Sequence, residues 1–361
     1  MPARTCPPGA EESDIQKHTW KWVAGCILLF GAIAWFVRAQ LAARSFDWSL
    51  AAASFARLHW EWLALALIPM FGTYYGRALR WAVFLKPLKP RPSIRNLLSA
   101  TIIGFTAVTL FGRPGEFVRP YLIAVKERVP VTSQFAAWVL ERMFDLLMAL
   151  LVFAFALSRV QASGVQVGER LAWILAAGGK IVVAVCLLLL VVILSFRHLA
   201  KPFQRWLTTV LRFLPEHRHA KVERFVDAFV RGIESTRSDG ALLLVFVYSV
   251  IEWFLIAAGY WSVAQAFSGM LTLSLVDVLI FMGFVSFGSA VQIPGIGGGM
   301  QVVAIVVLTE LFGVRLELAS SFALITWFIT FVAVVPLGLL VALKEGLDWH
   351  SLRNVGREIS S

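Results

Sequence analysis

The stretch Leu110–Pro120 reads LFGRPGEFVRP and interrupts an apolar run of the chain. It follows fourteen uncharged residues and brings Arg113, Glu116 and Arg119 within seven positions of one another. The backbone can turn at its glycines and cannot continue as a helix through its proline. The stretch therefore predicts either a broken hairpin tip beside a polar cavity or a charged interfacial loop whose arginine reaches the lipid head groups. The helix-breaking positions are Gly112, Pro114 and Gly115.

The composition is that of a polytopic α-helical membrane protein. Hydrophobic residues make up 59% of the 361 residues, charged residues make up 15%, and the mean hydropathy is +0.76. A soluble domain carries roughly a quarter charged residues, and the apolar stretches are too long for barrel strands. The formal charge of +11 comes from basic residues between the apolar runs. It indicates membrane topology and contact with anionic head groups, so no nucleic-acid partner is expected.

Nine apolar segments follow one another along the chain, and two of them are short for a crossing. A spanning helix needs about 20 residues, whereas Leu97–Phe111 and Met300–Phe312 are shorter and adjoin Gly/Pro breaks. The other segments are Trp22–Val37, Trp62–Gly76, Phe135–Leu157, Leu171–Phe196, Ala241–Trp261, Leu275–Val291 and Leu318–Leu343.

Two basic loops determine the predicted topology. One follows Gly76, the other covers 197–240, and the positive-inside rule places both in the cytoplasm. They lie on the same side only if Leu97–Phe111 enters the bilayer and the chain turns back near Gly112–Gly115. The same reasoning makes 275–312 a second re-entrant hairpin, which enters from the opposite side. The basic residues of the first loop are Arg77, Arg80, Lys86, Lys89, Arg91 and Arg95.

The expected fold is all-α, with about six full spans and two oppositely directed re-entrant broken hairpins. Broken segments at corresponding places in two halves are typical of an inverted repeat with a transport site at the bilayer midplane; two ordinary helical hairpins are the alternative. We expect an N-terminal cytoplasmic tail at 1–21, a transmembrane domain at 22–343 and a C-terminal cytoplasmic tail at 344–361. The first apolar run is interpreted as a retained helix, since no small-residue cleavage site follows it.

The stretch Leu140–Leu147, LERMFDLL, places three ionisable residues in the first half of an apolar helix. Glu141 and Asp145 are four positions apart and share one helix face, and Arg142 is adjacent. Such residues are costly in a membrane unless they are paired or hydrated. One interpretation is an ion pair between one of these acids and an arginine of Leu110–Pro120. The other makes Arg142 a phosphate ligand that the acids orient; both can hold together.

A second break lies in Val291–Val303, VQIPGIGGGMQVV. A helix that begins near Met300 would present free amides and a positive dipole end to an anion, whereas the alternative is a tightly packed glycine turn. The breaking residues are Pro294, Gly295, Gly297, Gly298 and Gly299, and the candidate polar cavity residues are Gln292 and Gln301.

Glu252 is the one charged residue of SVIEWFLIA, and we expect it either to carry a proton or to hydrogen-bond a neighbouring helix. Catalytic patterns are absent from the sequence: HExxH and GxSxG do not occur, and the six histidines lie in loops or flanks. GIGGGM lacks the Lys-Ser/Thr of a phosphate-binding loop. We therefore expect no catalytic residue, no metal and no cofactor.

Three of these motifs together resemble the lysylphosphatidylglycerol synthase transmembrane family, also called the flippase-like domain family. They are GRPGEFVRPYLIA, then ERMFDLL, then IPGIGGGMQVVAIVVL, and the resemblance covers roughly Trp22 to Leu343. The family's Gly-Glu-Leu-Val-Arg-Pro maps onto Gly115–Pro120, and its Glu-Arg-x-x-Asp maps onto Glu141–Asp145. Family members often carry a glutamate near Gln301, so a proton-coupled role there is in doubt or shifts to Glu252.

The resemblance implies movement of a polar or anionic lipid between the leaflets of the bacterial inner membrane. In this interpretation Arg113, Arg119 and Arg142 hold the head group, while Glu116, Glu141 and Asp145 orient the arginines. No aminoacyl-transferase half is present, so lysyl-lipid synthesis is not expected. The alternatives are a membrane-embedded transferase in lipid or glycolipid biosynthesis and a non-transporting accessory protein. Membrane lipids are the expected partners, and a homo-oligomer is left open.

Overall fold

The computed structural model describes residues 46–162, 180–192, 239–289, 292–293 and 297–346. The predicted segment Trp22–Val37, the N-terminal tail, most of the basic loop at 197–240 and most of the C-terminal tail lie outside the described residues. Pro294 and Gly295 lie outside them as well, and the predicted segment Leu171–Phe196 is described only as the helix Lys180–Val192.

The described residues are helical apart from turns and one β-hairpin of two-residue strands. The helices are α1 (Trp48–Ala56), α2 (Trp60–Leu85), α3 (Ile94–Phe111), α4 (Val118–Glu127), α5 (Val131–Ala162), α6 (Lys180–Val192), α7 (Asp239–Ala266), α8 (Leu275–Gly288), α9 (Gly299–Glu310), α10 (Leu316–Trp327) and α11 (Val335–Lys344). A 3₁₀ turn, Arg113–Phe117, joins α3 to α4, and a π-helical turn, Phe328–Val332, joins α10 to α11. Strands β1 (Gln292–Ile293) and β2 (Gly297–Gly298) lie between α8 and α9.

Four stretches are long and apolar enough to cross a membrane, which confirms an all-α polytopic membrane protein. They are Ile94–Phe111, Val131–Val160, Gly240–Ala266 and Leu316–Lys344. Shorter apolar helices accompany them at Lys180–Val192, Leu275–Gly288 and Gly299–Glu310. At about 1.5 Å per residue, the 18 residues of α3 extend for about 27 Å.

The chain divides into two compact units, Met1–Ala52 and Ala53–Ser361. Within the first, the Asp47 carboxylate caps the start of α1 and accepts hydrogen bonds from the backbone nitrogens of Ser49 (2.9 Å) and Leu50 (3.1 Å). The second unit contains all the candidate site residues that the structure describes.

Helices α3 and α4 form an antiparallel hairpin around the break at Gly112. Gly112 ends α3 with a φ of 69°, a left-handed value that glycine adopts without strain. Further back, α4 packs so closely that a Cβ at Gly104 would lie 2.6 Å from the Cβ of Arg119. At the open end, Lys126 Nζ donates to Ser99 Oγ over 2.6 Å. The chain therefore returns along α4 to the level at which α3 began.

Glu127 closes the open end of this hairpin. Its carboxylate accepts hydrogen bonds from Lys89 Nζ (2.7 Å), Asn96 Nδ2 (2.7 Å) and the backbone nitrogen of Ser93 (3.3 Å). Burial alone would raise the pKa of Glu127, but these hydrogen bonds and the Lys89 charge lower it below its usual value. The contacts tie the start of α3 and the preceding loop to the end of α4.

Helices α8 and α9 form a second antiparallel hairpin, whose tip is the β1–β2 turn. Ile293 pairs with Gly297, and Gly298 has a φ of 120°, a value that favours glycine. The backbone nitrogen of Gly298 donates to Gln301 Oε1 over 2.7 Å, which caps the start of α9. At the opposite end of the hairpin, Ile280 packs in one apolar cluster with Val160, near the end of α5.

The two hairpins open in opposite directions along α5. The first opens beside the start of α5, which follows Glu127 after three residues, and the second opens beside its end at Val160. This is the relative direction that the two basic loops predicted. Whether each hairpin enters a bilayer from its open end stays a prediction.

Helix α2 corrects one element of the predicted topology. The sequence placed Arg77 and Arg80 in a polar loop after Gly76, but both lie inside α2, which continues to Leu85. The helix can continue because its last turns are buried, with Trp81 and Leu85 fully inside, and because the arginines find acidic partners there. The loop proper begins at Lys86, the C-cap of α2.

Helix α2 packs antiparallel to α7 along its whole length and forms the centre of the second unit. The backbone nitrogen of His59, just before α2, donates to the Ala266 carbonyl at the end of α7 over 3.0 Å. Near the other end, Arg80 contacts Ser249 over 2.8 Å. This pairing brings the arginines of α2 beside Glu252, so it positions the charged groups described next.

Candidate functional site: a buried charge cluster between two hairpin tips

Seven charged side chains from four helices meet inside the second unit, and we call them the buried charge cluster. They are Arg77 and Arg80 of α2, Arg119 of α4, Glu141, Arg142 and Asp145 of α5, and Glu252 of α7. Burial of an isolated charge in a protein interior or a membrane is unfavourable in free energy, so these side chains can be buried only because they pair with one another.

Arg80 lies at the centre of the cluster and is fully buried. Its Nη2 is 2.7 Å from Glu141 Oε1 and 3.3 Å from Glu252 Oε2, and its Nη1 is 2.8 Å from Asp145 Oδ1. Nη1 also donates to Ser249 Oγ over 2.8 Å. One guanidinium thus joins α2 to α5 and α7, and it has no surface left for a ligand.

Arg119 lies between aromatic rings and is 4% exposed. Its guanidinium carbon is 4.3 Å from the centre of the Trp81 ring and 5.9 Å from that of Phe105. Its Nη1 donates to Glu141 Oε2 over 2.9 Å, and its Nη2 donates to the Arg77 carbonyl over 3.3 Å. Ion pairing and cation–π contact together hold this arginine in an apolar setting. The Glu141–Arg119 pair is one of the pairings that the sequence allowed.

Arg77 and Arg142 border open space as well as acids. Arg77 pairs with Glu252, and its Nη1 is 3.8 Å from Asp145 Oδ2. Arg142 Nη2 is 2.9 Å from Asp145 Oδ2, and its side chain is 36% exposed. Within the described part of the chain, Arg77 Nε and Nη1 and Arg142 Nε have no hydrogen-bond acceptor. Nε of Arg80 and Nε of Arg119 also lack an acceptor there, and all these nitrogen atoms are buried, so none of them is exposed to the open space.

The cluster carries one more positive charge than negative, with four arginines against three carboxylates. A further pair, Arg113 with Glu116, lies at the rim and adds no net charge. The arrangement therefore suits an anion, which would supply the missing negative charge next to guanidinium groups.

Two neighbouring cavities border the cluster, with volumes of about 170 Å³ and about 320 Å³. They share six lining residues: Arg77, Phe105, Arg113, Arg142, Ser289 and Phe331. The smaller also contacts Glu116 and Arg119, and the larger also contacts Asp145 and Tyr74. Mixed apolar walls with a few convergent charged groups are typical of a ligand site.

The tip of the first hairpin meets the end of α8, in the second hairpin, at these cavities. Arg113, in the 3₁₀ turn of the first hairpin, donates from Nη2 to the carbonyl of Ser289 over 3.0 Å. Ser289 is the C-cap of α8 and leads into the tip of the second hairpin. The contact therefore joins the first helix break that the sequence singled out to the end of the helix before the second break.

A π-helical turn forms another part of the wall. The carbonyls of Thr330 and Phe331 accept hydrogen bonds from Tyr74 Oη (3.4 Å) and Thr109 Oγ1 (3.0 Å). Pro336 begins the next helix and has no backbone N–H to donate, so a disturbed helix is expected just before it. Such π-helical turns occur frequently at functional sites.

The structure brings most of the predicted site residues together, and it separates a few. Arg113, Arg119 and Arg142 line one cavity with Glu116, while Glu141, Asp145 and Glu252 pair with arginines. Glu252 is thus not an isolated carboxylate, because Arg77 and Arg80 are its partners. Gln301 caps the second hairpin turn and does not line either of these two cavities. Pro294, Gly295 and the Gln292 side chain lie outside the description.

Arg77 and Arg80 are the functional candidates that sequence reasoning missed. Their signal is the run YYGRALRWAVFL, in which apolar and aromatic residues continue beyond both arginines. Two arginines three positions apart lie on one helix face, so the run was also compatible with a longer helix that has one basic face.

The arrangement can bind an anion, and it offers no assembled metal centre among the described residues. No group of three or more His, Cys, Asp or Glu side chains in the described ranges could hold a metal ion. The acids that line the cavities, Glu116 and Asp145, instead form ion pairs with Arg113 and Arg142.

The comparison with known proteins agrees with the sequence motifs and the helical fold. Residues 22–338 match the family described as the lysylphosphatidylglycerol synthase TM region, which is most of the chain. No curated protein and no solved structure matches the chain. The chain therefore belongs to the family of lysylphosphatidylglycerol synthase transmembrane regions.

Proposed function

We propose that this protein moves a lipid with an anionic head group between the two leaflets of a membrane. The observation that carries the proposal is the buried charge cluster, with its one surplus positive charge, beside the contact between the tip of the first hairpin and the end of α8. Membership of a membrane-lipid family supports it. The protein is then a transporter and not an enzyme.

The head group would pass through the two cavities while the acyl chains stay in the bilayer. A phosphate in hydrocarbon is very costly, and guanidinium groups reduce this cost by replacing its hydration with charged hydrogen bonds. Arg113, Arg142 and Arg77 border both cavities and would contact the phosphate in turn. Arg119 would complete the wall of the smaller cavity.

The acids would keep the arginines in place and limit how tightly the lipid is held. Glu141 and Asp145 each contact at least two arginines of the cluster. A transport site must release its cargo, and a site with four arginines and no acids would bind a phosphate too strongly to do so. Partial neutralisation by the three carboxylates avoids this outcome.

The charge distribution suggests an orientation. Among the described residues, the end of the second unit where the first hairpin opens carries seven lysines and arginines, namely Lys86, Lys89, Arg91, Arg95, Lys126, Arg128 and Lys344. By the positive-inside rule we assign this end to the cytoplasm, with the second hairpin opening on the other side. The bacterial inner membrane is the proposed location.

Reconstitution into liposomes tests the proposal. Head-group-labelled anionic lipid should exchange between leaflets faster with the protein than without it, as followed by a membrane-impermeant quencher. Arg142→Gln should reduce the protein-dependent rate about tenfold or more, because it removes a cavity donor, whereas the exposed Arg95→Gln is the matched control and should leave it unchanged.

The same preparation separates the alternatives. Unchanged exchange in the presence of the wild-type protein would refute transport. Mass spectrometry that detects a new lipid product without exchange would point to a transferase.

A further inference from the structure

We infer that the site selects a head group with a single negative charge, a phosphodiester, against phosphomonoester dianions and zwitterions. The inference rests on the proposed function in one respect, that the cavities receive a lipid head group. Its observable is binding selectivity, which does not require movement between leaflets.

The described charges at the site are those of the buried charge cluster and of the Arg113–Glu116 pair at the rim; Arg80, Glu141 and Glu252 belong to this sum but line neither cavity. Helix α2 contributes two arginines, α4 one arginine, α5 one arginine and two acids, and α7 one acid, while the first tip contributes the Arg113–Glu116 pair. Tyr74 and Tyr260 are the titratable neutral groups at the wall. Helix α8 and the π-helical turn contribute only neutral lining residues in the described ranges. The sum is one positive charge.

A ligand can contact this surplus positive charge only at the arginines that line the cavities. Arg80 is 0% exposed and pairs with Glu141, and Arg119 is 4% exposed and lies over the Trp81 ring. Arg77 and Arg142 line both cavities, so an anion in either cavity would lie beside their guanidinium groups. A phosphodiester has two charged oxygens that match a guanidinium fork. Its single charge would bring the buried site to neutrality.

A head group with a different charge would bind to this site at a higher free-energy cost. A phosphomonoester dianion would leave one negative charge unneutralised in a largely desolvated site, which is costly. It would therefore bind mainly as the singly protonated form. A zwitterion would bring an ammonium group to a wall whose acids are already paired, Glu116 with Arg113 and Asp145 with Arg142. Its positive charge would then lack a partner.

A binding experiment in detergent tests these steps with the unaltered protein. The probes are short-chain phosphatidylglycerol as the diester, phosphatidic acid as the monoester and phosphatidylcholine as the zwitterion, each titrated by calorimetry at pH 5.5 to 8.5. Phosphatidylcholine should bind at least about tenfold more weakly than the diester throughout, which corresponds to about 1.4 kcal/mol. Phosphatidic acid should approach the diester at pH 5.5 and then lose about tenfold for each pH unit above about 6, the second pKa of a phosphomonoester.

The ratio of the two anionic probes is the decisive quantity, because it cancels any effect of pH on the protein that does not depend on the charge of the probe. A ratio that stays constant from pH 5.5 to 8.5, or phosphatidylcholine that binds as tightly as the diester, would overturn the inference. Equal affinity for all three probes would mean that the site does not discriminate between head groups by their charge.

A charge variant gives an independent check. Glu252→Gln raises the net charge of the cluster by one, and the dianion should then recover at least about tenfold relative to the diester at pH 8. Arg95→Gln, which removes an exposed charge, should leave the ratio unchanged. If Glu252→Gln does not fold, the pH series with the wild-type protein still decides. Charge-selective binding without leaflet exchange would refute transport alone, whereas exchange of zwitterionic and anionic lipid at equal rates would refute selectivity alone.

Discussion

Replacement of Arg80 by glutamine probes the centre of the buried charge cluster. Arg80→Gln keeps a polar side chain of similar reach but removes two ion pairs shorter than 3 Å, to Glu141 and to Asp145, and a third at 3.3 Å to Glu252. A hydrogen bond to a charged group is worth about 1.5–3 kcal/mol, and removal of one partner from a buried ion pair costs about 3–5 kcal/mol. We therefore expect the free energy of unfolding to fall by about 3–5 kcal/mol.

The estimate stays in this range because no carboxylate loses all its partners. After the substitution, Glu141 still lies 2.9 Å from Arg119, Asp145 still lies 2.9 Å from Arg142, and Glu252 still pairs with Arg77. The double variant with Glu252→Gln also removes one of the three acids that contact Arg80. It should be less destabilised than the two single variants together, by about 1–2 kcal/mol.

The assay is unfolding by sodium dodecyl sulfate in mixed micelles, followed by far-ultraviolet circular dichroism. Arg95→Gln is the control, since Arg95 is exposed, and it should change stability by less than about 0.5 kcal/mol. A loss below about 1 kcal/mol for Arg80→Gln, or simple additivity with Glu252→Gln, would show that Arg80 does not join the helices in the way described.

Two further predictions concern the first hairpin. Hydrogen bonds hold the pKa of Glu127 below its ordinary value of 4.5, so the ionised carboxylate stabilises the folded protein fully above about pH 4.5, and this stabilisation is lost as the pH falls through the folded-state pKa. Glu127→Gln should remove this part of the acid dependence of thermal unfolding in detergent. Identical pH profiles for the variant and the wild-type protein would contradict the prediction. Gly104→Ala would place a methyl group 2.6 Å from the Cβ of Arg119, so we expect a lower unfolding temperature and at least about tenfold weaker binding of short-chain phosphatidylglycerol. Gly76→Ala, whose added Cβ meets nothing within 4 Å, is the matched control, and equal behaviour of the two variants would refute the close approach.

The breaks in the helices could be predicted from the sequence because backbone chemistry determines them locally. Gly112 adopts a left-handed backbone conformation and Pro114 disfavours helix continuation, and α3 ends at Phe111 with a 3₁₀ turn after it. The glycines of the second break have the same effect, and α9 begins at Gly299, one residue before the predicted start. Local signals of this kind need no knowledge of the tertiary structure.

The opposite directions of the hairpins were predictable from a different source, the distribution of charge. The basic residues before Leu97 and those of the 197–240 loop lie on one side of a membrane only if the chain turns back after Leu97–Phe111, and α4 does return along α3 to Glu127. The first loop was drawn too long, and entry of this hairpin into a bilayer stays a prediction. Enough basic residues remain after Leu85 to carry the argument.

The partners within the charge cluster could not be predicted, because they depend on helix packing. A charged residue beside an apolar segment predicts a loop when no partner for it is known. The partner of Arg80 is Glu141, which lies 61 positions away in the sequence. Glu252 was treated as isolated for the same reason. Only the antiparallel packing of α2 against α7 brings it to Arg77.

The central claim is that a lipid phosphate binds between the hairpin tips, and a density map of the protein in nanodiscs that contain phosphatidylglycerol tests it most directly. The account predicts phosphate density inside the cavities, within hydrogen-bonding distance of the guanidinium groups of Arg77 and Arg142. Head groups confined to the two membrane surfaces, with the cavities filled by side chains or by water alone, would contradict it.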